Sequence, residues 1–95
     1  MQNQPTADIS YISRSRIAHG ILSELAARPL SGATLYGPRS KWTSRRCDLA
    51  RRLERDGLIV ARPAVGDERL DSAGRTQVRV VYELSPAGRQ ALASL

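Results

Sequence analysis

This 95-residue chain has no phenylalanine, one tryptophan and three tyrosines, so its core must be built from aliphatic side chains. It has a single cysteine, Cys47, which excludes an intramolecular disulfide and a thiolate metal cluster and suits a reducing cytoplasm. A single histidine, His19, has no second imidazole with which to share a metal, so a surface or packing role is expected of it. Long hydrophobic runs are also missing. The longest is LIVA at 58–61, far too short to span a bilayer, and MQNQPTADISYIS at the start lacks the basic and apolar regions of a secretion signal. No internal repeat or low-complexity tract is present. At this length one domain is expected, with a core too small to wall a large catalytic cleft.

Lysine is scarce as well, at one residue against fourteen arginines, and the formal net charge is +6. The planar arginine fork donates hydrogen bonds in pairs and is weakly hydrated, so such an excess points first to phosphate. A GC-rich genome would also favour arginine, and placement therefore matters more than number. Between Arg39 and Arg55 seven basic residues face two acidic ones, so most of the net charge lies in one stretch, RSKWTSRRCDLARRLER.

Around that stretch the chain reads as alternating elements. Residues 1–12 are expected to be a flexible arm and 13–95 a folded domain. From Ser13 onward Ile17, Ile21, Leu22 and Leu25 recur at helical spacing until Pro29. Ser31 can cap a short second helix carrying Ala33, Leu35 and Tyr36, ended by Gly37 and Pro38. In the third helix Trp42, Leu49 and Leu53 fall on one line with Ala50 at its edge, which leaves Thr43, Ser44, Cys47, Arg51 and Arg55 facing outward. Gly57 stands where a left-handed helix-ending glycine would stand, and LIVA after it reads as a strand. VRVVYEL at 78–84 alternates as a second strand, giving an antiparallel hairpin with a long, charged tip. Ser85 and Pro86 open a last helix with Ala87, Leu92 and Leu95 apolar.

The runs SGATLYG, RRCDLARRLERDGLIVAR and VYELSPAGRQAL resemble winged helix-turn-helix transcriptional regulators of the PadR and MarR kinds, over about Ile17 to Leu95. The likeness implies an α+β fold: a three-helix core, a two-stranded β-hairpin wing and a short C-terminal helix. It implies a sequence-specific regulator of double-stranded DNA, with the third helix in the major groove and the wing at the minor groove. Only an α-helix or a two-stranded ribbon fits the major groove, which agrees with a basic helix held on an apolar stripe. By this resemblance Lys41, Thr43, Ser44 and Arg45 are the base-reading candidates, while Arg39, Arg51 and Arg52 lie where phosphate is held. Arg69 and Arg75, at the wing tip, suit the negative potential of a narrow minor groove.

Arg46 departs from the pattern, standing where the likeness has an inward valine or isoleucine. Burial of an unpaired guanidinium would be costly, so either Arg46 snorkels past Trp42 or the helix starts in another register. It remains a DNA-contact candidate beside Arg45. Cys47, outward on this reading, is either a small residue beside the DNA or a thiol whose oxidation would interrupt binding. Asp67, Glu68 and Asp71 lack the spacing of a calcium loop. No nucleophile and base pair, carboxylate pair or phosphate-cradling glycine loop can be assembled, and neither an enzymatic activity, a cofactor nor a metal is expected.

The expected protein is thus a small cytoplasmic repressor, most simply a homodimer, because paired half-sites multiply the modest specificity of one small module. A protein co-regulator could supply its response. A different class of function, a protein- or RNA-docking adaptor on the same fold, would use the basic face for docking.

Overall fold

The computed structural model describes residues 9–38, 40 and 43–95. Within them lie five α-helices and one antiparallel sheet: α1 (Tyr11–Arg14), α2 (Arg16–Ala27), β1 (Leu30–Ser31), α3 (Gly32–Tyr36), α4 (Arg45–Arg55), β2 (Ile59–Pro63), β3 (Val80–Leu84) and α5 (Pro86–Ala93). This is a small α+β fold. Its sheet has the order β1-β3-β2, with Leu30 opposite Tyr82 and Ile59 opposite Leu84.

The helices α2 to α5 each begin at a serine, because a hydroxyl can accept from one of the first N–H groups that lack a helical partner, whereas Ser10 before α1 makes no such bond. Ser15 accepts from Ala18, Ser31 from Thr34, Ser44 from Cys47 and Ser85 from Gly88. At the other end of α4, Gly57 takes a φ of 79°, where a side chain would be strained. That left-handed residue lets the Gly57 N–H reach the Glu54 carbonyl at 3.0 Å and the Leu58 N–H reach Leu53 at 3.0 Å. The chain turns there directly from α4 into β2.

α2 packs on α4, α5 and β3, and its buried stripe is Ala18, Ile21, Leu22 and Leu25. Ile17, expected in that stripe, is 41% exposed. It lies one residue off the face that Ala18 carries, and the small alanine is what meets the core. The segment expected to be an arm through residue 12 is also different at its end. Ile12 is 1% exposed and belongs to the core, with Ile9 and Tyr11 packed against it, so the packed unit begins before residue 13.

β1 escaped the sequence reading because two residues carry no detectable alternation; it exists only because β3 offers it an edge. β3 itself begins at Val80 rather than Val78, since the Val78 N–H is taken by the Arg69 carbonyl at 3.0 Å, within the hairpin tip. In α5 the buried contacts come from Gly88 and Ala91; Ala87 faces solvent, Leu92 is half-buried and Leu95 is exposed. Among the described residues no helix is long and apolar enough to cross a membrane.

Candidate nucleic-acid interface

α4 buries Cys47, Leu49, Ala50 and Leu53 and leaves Arg45, Asp48, Arg51 and Arg55 exposed, with Arg52 half-exposed. The inward arc is wider than a leucine stripe because α4 has two helical neighbours, α2 on one side and α3 on the other. Cys47, expected on the outward face, is therefore fully buried, and its thiol donates to the Tyr36 carbonyl of α3 at 2.9 Å. A thiol closed off in this way sits in the packing between helices, not beside a ligand, and the oxidation-sensitive reading fails with its exposure.

The capping serine places the first turn of α4. Ser44 is the residue before the helix and its Oγ accepts the Cys47 N–H at 3.3 Å, so its acceptor is already engaged in capping. Thr43 precedes it and is exposed. Arg45 heads the helix, exposed and without a carboxylate partner among the described residues. Arg39, Lys41 and Trp42 lie outside the described residues.

Arg46 resolves its conflict by pairing. Its Nε donates to the Leu35 carbonyl at 3.1 Å, and its two terminal nitrogens reach the Glu24 carboxylate of α2 at 3.2 and 3.4 Å. The guanidinium thereby joins α2, α3 and α4 on the inward arc instead of projecting with Arg45. Because both partners stay partly exposed, the pair itself contributes little. Glu24→Gln should lower stability by less than about 1 kcal/mol, whereas Arg46→Ala should cost more, since it also removes the donor to Leu35. Urea titration of the two variants checks the order.

Two aromatic contacts fix the outward arginines. The Arg52 guanidinium lies 3.8 Å from the centroid of the Tyr11 ring, and the Tyr11 hydroxyl donates to Asp56 at 2.9 Å. Arg52 also approaches Asp56, at 3.9 Å. On the other flank Arg51 lies 5.9 Å from the Tyr36 centroid and donates to Asp48 at 3.3 Å. Tyr36 donates to Glu54 at 3.0 Å and meets Tyr82 edge-on at 5.8 Å. Burial first, and then the bond to a carboxylate, push both the Tyr11 and Tyr36 hydroxyls well above the ordinary phenol value, so both remain donors.

The hairpin tip is braced rather than loose. Arg62 of β2 binds Glu68 through two bonds of 2.7 Å and Glu83 of β3 through one of 2.9 Å. Hydrogen bonds from Arg62, and then from the Val65 N–H, hold the Glu68 carboxyl down to about 2. At the turn, Asp71 accepts from the Ala73 and Arg75 N–H groups and from the Arg75 Nε at 3.0 Å. Of the two tip arginines, Arg75 is thus tied to Asp71, while Arg69 is exposed with no carboxylate partner among the described residues. Glu68 and Asp71 near the tip serve as braces, and among the described residues no cluster of histidine, cysteine and carboxylates could hold a metal.

No protein-family model matches the chain, and no curated protein matches it significantly. Among solved structures it is similar to a candidate transcriptional regulator, TA0346, from Thermoplasma acidophilum. The two share 21% of their residues at a TM-score of 0.55, over 90% of this chain and 81% of the other. At that identity the likeness is one of fold.

Proposed function

We propose that this chain is a sequence-specific, double-stranded-DNA-binding transcriptional regulator of the winged helix-turn-helix type, acting as a small cytoplasmic repressor and homodimer. The observation that carries the reading is the outward face of α4: Arg45, Arg51, Arg52 and Arg55 stand on a helix whose other side is anchored in the core. Such a helix presents rigid donors to base edges while its flanking arginines meet phosphate. The fold shared with a candidate transcriptional regulator supports the same reading. Arg45, with Lys41, Thr43 and Ser44 before it, is the base-reading end; Arg39, Arg51 and Arg52 hold phosphate; Arg69 and the tethered Arg75 lie at the wing tip for the minor groove. Arg46 contributes by holding the helix in place. Pairing two copies on an inverted repeat would multiply the specificity of so small a module.

Selection from a random duplex pool followed by a salt titration tests this. An enriched inverted repeat, bound with affinity that falls steeply as salt rises, is the expected outcome. Salt-sensitive binding without enrichment would make the protein an architectural binder. Absence of duplex binding would move the basic face to a protein or RNA partner.

A further inference from the structure

A polar groove of about 430 Å³ runs between α1 and the outward face of α4, lined in part by Arg14, Ser15, Arg45, Asp48 and Arg52. Three guanidinium groups and one carboxylate thus line the same groove. Arg45 and Arg14 make no ion pair among the described residues, while Asp48 receives a bond from Arg51, outside the groove's lining, at 3.3 Å. Arg52 is held over the Tyr11 ring, and Tyr11 in turn is held by Asp56, so the wall of the groove is set before any ligand arrives. Ser15 accepts from Ala18 through its Oγ, which leaves its hydroxyl proton to donate.

We propose that this groove seats one backbone phosphate of the bound duplex, with Arg14 as a phosphate contact supplied by a different helix from the rest. The inference rests on the DNA-binding reading above. Paired N–H donors on guanidinium groups match phosphate oxygens, and a neutral ligand would leave the surplus positive charge unanswered. The duplex is the favoured source of that phosphate because two of the three arginines belong to α4, so a strand lying along α4 passes over the groove. A contact made from α1 and α4 together fixes how deeply α4 can enter, which a phosphate held by α4 alone would not do. Packing of Ile12 in the core is what holds Arg14 at this place.

The test compares the full-length Arg14→Gln variant with Arg89→Gln, an equal loss of charge on α5 outside the groove, by salt titration on the selected duplex. Arg14→Gln should reduce the steepness of the logarithmic salt dependence by about 0.9, the value for one phosphate contact on B-form DNA, and Arg89→Gln should leave it unchanged. Asp48→Asn should tighten binding. A duplex carrying a single neutral methylphosphonate at the seated position should weaken wild-type binding and leave Arg14→Gln indifferent. Equal behaviour of the two arginine variants overturns the seat while leaving DNA binding intact. Failure of the wild type to bind any duplex overturns the functional reading as well. Saturation of the groove by inorganic phosphate at sub-millimolar concentration, displacing DNA, would assign it to a small anion and overturn the backbone assignment.

Discussion

Replacing Gly88 with alanine is expected to lower the stability of the domain by about 3 kcal/mol or more, enough to move the thermal midpoint by more than about 12 °C in a chain of this size. By helix propensity alone the substitution should help, by up to about 1 kcal/mol, because Gly88 lies inside α5 and alanine is the better helix former. Packing reverses the sign. A β-carbon at this position would fall on the carbonyl oxygen and carbon of Leu58, with Leu84 Cδ2 at 3.2 Å on a third side. Neither obstacle can give easily: Leu58 is 1% exposed, and its carbonyl already accepts the Ser85 N–H at 3.1 Å. Ser85 adds a second tie, since its hydroxyl donates to the Gly57 carbonyl while accepting from Gly88. The glycine of SPAG therefore exists so that the N-terminus of α5 can lie against the turn that ends α4. Thermal unfolding followed by circular dichroism checks the prediction, and an unchanged or raised midpoint would mean that α5 does not dock there.

Charge reversal on α4 should have the largest effect on binding. Arg45→Glu with Arg51→Glu is expected to weaken duplex affinity by about a hundredfold or more, since each arginine contact contributes about 1 to 3 kcal/mol and a carboxylate adds repulsion from the phosphates. Neither residue supports the core: Arg45 is exposed, and the Arg51 side chain is 49% exposed in its pair with Asp48. Losing such a pair changes stability by less than about 1 kcal/mol, so the variant should unfold near the wild-type midpoint. Fluorescence anisotropy on the selected duplex, read beside the unfolding curve, separates loss of contact from loss of fold. Retained affinity in a folded double variant would place the nucleic-acid surface elsewhere or remove it.

Most of the architecture was legible because it is local. Ser31 and Ser85 ahead of α3 and α5, glycine at the end of α4 and the β-rich run of β3 are consequences of hydrogen bonding and side-chain period within a few residues, and they predict those elements, although Val81 and Leu84 rather than Val80 are the residues that β3 buries. The errors arose where a neighbour decides. Cys47 lies on the side away from the stripe drawn through Trp42, Leu49 and Leu53, and becomes interior only because α3 covers it there. Arg46 was recognisable as a conflict, a guanidinium on the inward arc, but its solution depends on Glu24 and Leu35, 22 and 11 residues away.

Sequence alone thus determined the order of the longer elements from α2 to α5, though not α1 or β1, together with the concentration of positive charge on one helix and the aliphatic character of the core, because these follow from composition and short-range periodicity. Tertiary structure alone decided which arginines remain available for a ligand. Arg46, Arg62 and Arg75 are consumed by carboxylates brought to them by the fold, whereas Arg14, Arg45 and Arg69 keep no carboxylate partner among the described residues. The reason is that a charge is neutralised by whatever lies within a few ångströms in space, and for most of these groups that neighbour is set by packing between elements rather than by position along the chain.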